Sequence, residues 1–146
     1  MKLYTIGFTK KTAETFFELL REHGIQRLVD IRVNPKGQLS GFAKQNDLPY
    51  FLNTLVDGCK YQHVPDLAPT KEILKNYRED KDWAIYTKRF DALMDERGFP
   101  GKLRKQAFSE EATCLLCSEE TADHCHRRLV AERLASSWAD VEIIHL

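Results

Sequence analysis

The sequence predicts an α/β domain with a mostly parallel sheet of about five strands. Short apolar segments alternate with longer amphipathic ones, which is the order expected when crossover helices join parallel strands. A longer helical region between the third and fourth strands predicts an excursion at that point. The chain has 146 residues, enough for one domain with a real core but few for two. We therefore expect a single domain over residues 1–146, with helices on both faces of the sheet.

The first half of the chain predicts three strands and two helices. The strands cover residues 3–7, 27–31 and 60–64. Thr12 can cap the first helix, and Gly24 is suited to end it. The second helix covers residues 48–56, since Pro49 is tolerated in a first turn. The residues at 34–37 favour a turn.

The second half predicts a long helical region and two further strands. Residues 71–98 are helical with a break near 80–82, and a further helix covers 102–108. The strands are residues 112–116 and 141–144. Between them, residues 129–138 form the apolar-periodic part of an amphipathic helix whose N-terminus we expect at His124, where Thr121 or Asp123 can cap it.

The charge balance, the apolar segments and the cysteines indicate which classes of protein the chain does not resemble. The 22 basic residues balance the 22 acidic ones, so no overall field favours nucleic acid or a membrane surface. The first residues favour a strand, so we expect no signal peptide, and no apolar run is long enough to span a bilayer. The 4 cysteines are therefore expected to be reduced thiols in a cytoplasmic protein. Composition leaves the oligomeric state open.

The segment between the fourth strand and the following helix carries the densest group of reactive side chains. Ligands of α/β proteins bind at the carboxyl ends of strands, and a helix N-terminus favours anions. The candidates in this segment are Cys117, Glu119, Cys125, His126 and Arg127.

The second and third strands end in further polar groups. Asp30 and Arg32 lie on the same side of a strand with a period of two, so both can face one space. His63 ends the third strand. We expect ligand contacts from Asp30, Arg32, Cys117, His126 and Arg127.

Arg127 has two interpretations. Its position one turn before Val130 and Ala131 directs it towards the buried face of the helix. It either pairs with a structural carboxylate such as Asp30, or it forms a fork for a phosphate or carboxylate ligand.

Anion recognition is the leading functional hypothesis. We expect a phosphate-bearing small molecule, such as a nucleotide, or a nucleic acid as the partner. The candidate catalytic groups are Glu119 for acid–base work, with His63 as a second choice, and Cys125. Aromatic residues could stack on a base, although aromatics at helical spacing more often form core. These aromatics are Tyr50, Phe51, Tyr61, Tyr77, Trp83, Tyr86 and Phe90.

Two alternatives stay open. The thiols could serve a metal-binding or thiol-dependent enzyme built from Cys117, Glu119, Cys125 and His126. Zinc or iron is possible there, but no complete metal pattern exists, so we assign no metal ligand. The other alternative is a regulatory binding module without catalysis.

The order of several short motifs resembles a known family. The motifs run from Tyr-Thr-Ile-Gly at residues 4–7, through Leu-Val-Asp-Ile-Arg at 28–32 and Leu-Ala-Pro-Thr at 67–70, to Cys-Ser-Glu at 117–119 and Cys-His-Arg at 125–127. With these motifs the chain resembles the DUF488 family over nearly its whole length. The resemblance implies a small α/β fold and a site at these motifs, and it implies no particular reaction.

Overall fold

A parallel sheet forms the centre of the computed structural model, which describes residues 1–146. Its strands are β1 (Lys2–Gly7), β2 (Arg27–Asp30), β3 (Lys60–His63), β4 (Thr113–Cys117) and β5 (Glu142–His145). Their order is β3-β2-β4-β1-β5, and every neighbouring pair is parallel. The predicted α/β fold is confirmed, with a sheet that is entirely parallel.

Six α-helices surround the sheet. They are α1 (Ala13–Glu22), α2 (Leu48–Leu55), α3 (Lys71–Asp80), α4 (Trp83–Arg97), α5 (Lys105–Glu110) and α6 (His126–Ser137). The helices α3, α4 and α5 form the expected excursion between β3 and β4. Two short 3-10 segments, Gln38–Ala43 and Pro65–Leu67, were not predicted. None of the helices combines the length and the apolar character needed to cross a membrane.

Alternating side chains of the strands divide the core into two layers. One layer joins Leu3, Val29 and Leu115 to apolar residues of α4, α5 and α6. The other joins Ile6 and Leu116, among others, to α1 and α2. Both faces of the sheet are therefore covered, which a fully parallel sheet requires.

The strand order creates a crevice at the ends of β2 and β4. These strands are neighbours, but the chain leaves β2 towards β3 at one edge and leaves β4 towards β5 at the other. The following helices α2 and α6 pack on opposite faces. Such a switch in direction leaves a crevice at the carboxyl ends of the two strands, where ligands of open α/β sheets bind.

Local hydrogen bonds explain where the helix boundaries agree with prediction and where they differ. Thr12 caps α1 as expected, accepting a bond from Thr15 N at 3.1 Å. The predicted break between α3 and α4 occurs at Lys81, which has a φ of 52°. The α5 helix begins at Lys105 rather than 102, because residues 100–103 form a turn closed by Leu103 N and the Pro100 carbonyl at 2.8 Å.

The predicted cap of α6 is wrong. We expected Thr121 or Asp123, but Cys125 is the N-cap residue, with an extended backbone at φ −131° and ψ 140°. Its side chain makes no capping hydrogen bond. The residues before it form an irregular loop that folds back over β1, and this loop displaces the start of the helix to His126.

Candidate functional site

A cleft of about 700 Å³ lies at the ends of β2 and β4. One wall is formed by these strand ends and the first turn of α6, and the other by α3. Its volume lies in the range of about 300–1,000 Å³ that is usual for small-ligand sites. A shallow depression of similar volume, about 710 Å³, lies at the far end of α6 and is lined by no histidine, cysteine, lysine or arginine.

The cleft is strongly basic although the chain as a whole has no net charge. Lys71, Lys75 and Arg78 reach it from α3, and Arg32 reaches it from the end of β2. Glu119 is the one carboxylate among the lining residues. The charge of Arg32 is balanced by Asp30 behind it, so the excess of positive charge comes from the three cations of α3 against Glu119. The 22 basic and 22 acidic residues of the whole chain, in contrast, cancel.

Arg32 is held in place by a buried carboxylate. Its Nε donates to Asp30 Oδ1 at 2.9 Å, and its Nη2 donates to Asp30 Oδ2 at 2.8 Å. Asp30 also accepts a bond from the Tyr61 hydroxyl at 2.5 Å. Burial, and then this bond to Asp30, raises the pKa of Tyr61. The remaining nitrogen of Arg32, Nη1, is buried and has no hydrogen-bond partner.

The loop between β4 and α6 packs directly on the backbone of β1. A Cβ atom placed on Gly7 would lie 1.6 Å from the carbonyl oxygen of Glu119, so only glycine allows this approach. Thr9 N donates to the Ser118 carbonyl at 3.0 Å. These contacts bring Ser118 and Glu119 to the mouth of the cleft.

Arg127 stabilises the same loop through hydrogen bonds. Its Nη1 donates to the Glu119 carbonyl at 2.6 Å, and its Nε donates to the Thr5 hydroxyl at 3.2 Å. The side chain is 1% exposed and does not line the cleft. It makes no ion pair with Asp30, whose partner is Arg32. A ligand contact from Arg127 stays a prediction.

Two thiols and an imidazole form the floor of the cleft. Cys117 at the end of β4, Cys125 and His126 are all buried, and their ligand atoms lie within 4.8 Å of one another. A hydrogen bond from Cys125 lowers the pKa of the Cys117 thiol, whose burial acts in the opposite direction. The pKa of Cys125 is raised by the same bond and by burial. Cys117 is thus the thiol that ionises more readily.

The other two cysteines lie away from the cleft. Cys114 and Cys117 have Cys-x-x-Cys spacing, but an interval of three in a strand places them on opposite faces. Cys114 is fully buried with Cys59 in the layer formed by α1 and α2. Burial raises the pKa of both thiols, that of Cys59 to about 12. They are core residues.

Aromatic side chains of α4 cover one side of the floor. Tyr86 lines the cleft, stacks between Trp83 and Phe90, and makes no hydrogen bond through its hydroxyl. Its burial, together with the nearby Cys117, raises its pKa. Of the seven aromatics considered for base stacking, Tyr77 and Tyr86 are the two that line the cleft.

Comparison with known families supplies the identity of the domain. Residues 12–134 match the family described as "Domain of unknown function DUF488". The chain belongs to this family. Every residue that lines the cleft falls inside the matched range. No curated protein and no solved structure matches the chain.

Five of the candidate site residues predicted from the sequence line the cleft of this DUF488 protein. They are Arg32, Cys117, Glu119, Cys125 and His126. The other three lie behind its lining residues. Asp30 pairs with Arg32, Arg127 supports the loop of Glu119, and the His63 ring contacts the backbone carbonyl of Arg32 at 3.0 Å.

Sequence reasoning missed the wall that α3 contributes. Lys71, Lys75 and Arg78 recur at intervals of four and three residues, which places them on one face of a helix. That pattern was visible in the sequence. What it did not reveal is that this face of α3 is turned towards the ends of β2 and β4, since that depends on how the helical excursion folds back.

Proposed function

We propose that this DUF488 protein binds a small phosphate-bearing ligand, a nucleotide by class, in the cleft at the ends of β2 and β4. The observation that carries the proposal is the charge of the cleft, where three cations of α3 outnumber the single lining carboxylate in a chain of zero net charge, and where Arg32 adds a guanidinium paired with Asp30. Low-dielectric walls strengthen such a local field, and lysine and arginine are the side chains that bind phosphate oxygens.

Arg32 supports the same conclusion independently. Its Nη1 lacks a partner although the residue is 3% exposed, and leaving a buried donor unsatisfied costs about 1–3 kcal/mol. Arg32 is a lining residue of the cleft, so a ligand oxygen that approaches its guanidinium would supply the missing acceptor. The bidentate bond to Asp30 fixes the guanidinium plane beforehand, so little conformational entropy is lost when a ligand binds.

A nucleotide is favoured over nucleic acid by the shape of the site. The cations converge on one cleft of about 700 Å³ rather than following an extended surface. Tyr77 and Leu74 place apolar surface on the α3 wall, against which a base can pack. Glu119 is the candidate acid–base group of any reaction, since it is the one carboxylate at the cleft.

Titration calorimetry of the metal-free protein with pyrophosphate and ADP tests the proposal. Replacing Lys75 by alanine should weaken binding about fivefold, because an ion pair near 4 Å in water is worth about 1 kcal/mol. Replacing Lys71, Lys75 and Arg78 together should abolish binding. Lys88→Ala is the matched control, since Lys88 is exposed on α4 and does not line the cleft.

Replacing Glu119 should change pyrophosphate affinity in the direction opposite to the lysine and arginine variants. Glu119→Gln removes the only negative charge of the lining residues, so it should strengthen pyrophosphate binding several-fold. Wild-type protein that binds neither probe at millimolar concentration would overturn the proposal. So would a triple variant that binds them as tightly as Lys88→Ala does.

A further inference from the structure

The floor of the cleft has a set of ligand atoms suited to a metal ion. Cys117 Sγ lies 3.5 Å from His126 Nδ1, and the atoms of Cys117, Cys125 and His126 all fall within 4.8 Å of one another. Two ligands of a tetrahedral zinc ion, one sulfur and one nitrogen, are roughly 3.6 Å apart, given Zn–S of about 2.3 Å and Zn–N of about 2.0–2.1 Å. The observed sulfur–nitrogen distance is close to this value.

A backbone carbonyl fixes the tautomer of His126. The Nε2 atom lies 2.6 Å from the oxygen of Ile31. A carbonyl oxygen only accepts, so Nε2 carries a proton, and in the neutral form of the ring Nδ1 is the nitrogen with the lone pair. Metal-binding histidines are usually oriented in this way by a carbonyl or carboxylate on the other nitrogen. Here the free nitrogen is the one nearest the Cys117 sulfur.

The backbone at Cys125 explains how adjacent residues can address one point. Neighbours within a helix project about 100° apart, so Cys125 and His126 would diverge if both were helical. Cys125 is instead the N-cap with extended dihedrals, and α6 begins at His126. The third ligand comes from a different element, the end of β4.

We propose that Cys117, Cys125 and His126 bind one Zn²⁺ ion whose fourth position opens into the cleft. Two thiolates with one imidazole are a zinc ligand set, and three protein ligands with an open position are typical of zinc that also binds substrate or water. Binding releases the thiol protons to solvent, and His126 contributes the lone pair of Nδ1. All three residues line the cleft, so a phosphate oxygen of the ligand can reach the fourth position.

That choice of fourth ligand rests on the proposed function, but the three protein ligands do not. The test uses the full chain under a thiol-free reductant, first stripped of metal and then titrated with Co²⁺ in place of Zn²⁺. We expect one equivalent of Co²⁺ to give a thiolate-to-cobalt charge-transfer band and tetrahedral visible bands. One equivalent of Zn²⁺ should then bleach both, since a site of this kind binds Zn²⁺ more tightly than Co²⁺.

Variants identify the ligands. Cys117→Ser and His126→Ala should each lower Co²⁺ affinity at least tenfold and weaken or shift the bands. Cys59→Ala is the control, because Cys59 is a buried thiol in the opposite layer of the core. The wild-type spectrum requires no variant, so a variant that fails to fold does not decide the result.

Two outcomes overturn the metal site. One is the absence of a charge-transfer band in the reduced wild-type chain, and the other is a band unchanged in both ligand variants. Neither outcome affects the nucleotide proposal, because its titration uses metal-free protein. Conversely, a normal cobalt spectrum with no pyrophosphate binding would retain the metal site and remove the proposed ligand.

Discussion

Arg32 shows how a single residue can combine a structural partner with a free donor. Its pairing with Asp30 removes two charges from water, and such pairs gain little stability compared with apolar residues. The ion pair instead positions Arg32, because it fixes the guanidinium at the cleft and leaves Nη1 without a partner. The Tyr61 hydroxyl donates a further hydrogen bond to the same carboxylate.

Removal of the carboxylate charge should therefore be costly. We predict that Asp30→Asn lowers the free energy of unfolding by about 3–5 kcal/mol, because it leaves the buried Arg32 charge uncompensated. Tyr61→Phe removes one hydrogen bond to the carboxylate and leaves the ion pair intact, so it should cost about 1.5–3 kcal/mol. Urea denaturation of both variants measures the difference. Equal midpoints for the two would contradict the importance of the ion pair.

The role of Arg127 could be narrowed but not decided from the sequence. Helical periodicity correctly placed it on the buried face of α6. Its actual partners, the Glu119 carbonyl and the Thr5 hydroxyl, come from an irregular loop and a distant strand. A hydrogen bond to a loop carbonyl does not depend on the residue type that carries the carbonyl. The motif alone therefore could not predict these partners of Arg127.

At the scale of elements, the loop between β4 and α6 determines the shape of the site. Gly7, Thr9 and Arg127 hold this loop against β1, and the loop in turn places Glu119 and Cys125 at the cleft. The predicted caps for α6 were wrong because Thr121 and Asp123 belong to this loop. A capping prediction assumes that the helix starts immediately after the capping residue, whereas here the loop continues to Cys125.

The close approach at Gly7 can be tested with the smallest side chain. Gly7→Ala places a methyl group 1.6 Å from the Glu119 carbonyl, so the loop must move. We predict a loss of stability of about 1–3 kcal/mol or more, as for other overpacked sites, together with weaker pyrophosphate binding.

Gly37→Ala is the matched control for this substitution. Gly37 has no atom within 4 Å of the added Cβ, and its φ of −63° suits alanine. Thermal unfolding of the two variants measures the effect. A Gly7→Ala protein that melts with Gly37→Ala and binds pyrophosphate normally would show that the loop tolerates displacement.

At the scale of the whole molecule, the order of strands and helices was predictable and the assembly of the site was only partly so. Period-two and helical patterns gave all five strands and the positions of the helices, with boundaries shifted by a few residues. Residues at the ends of β2 and β4 were expected to converge, because parallel strands share one edge. The packing of α3 opposite them was not predictable, since three helices separate β3 from β4.

That packing gives a prediction for the stability of the whole domain. The α3 helix has no fully buried residue, so a ligand bridging its cations to Arg32 adds contacts that the free protein lacks. A ligand that binds only the folded state stabilises it by about 2.7 kcal/mol at 100 times its Kd. For a domain of this size we expect pyrophosphate to raise the melting temperature by about 5–10 °C.

Pyrophosphate also stabilises proteins in general by exclusion from their surfaces, so the comparison must be internal. The wild type and the variant lacking Lys71, Lys75 and Arg78 should be melted in pyrophosphate and in sodium chloride of equal ionic strength. We expect the shift specific to pyrophosphate in the wild type and in Lys88→Ala, and its loss in the triple variant. An equal shift in all three proteins would mean that the ion acts through the solvent, and the cleft would then have no part in the effect.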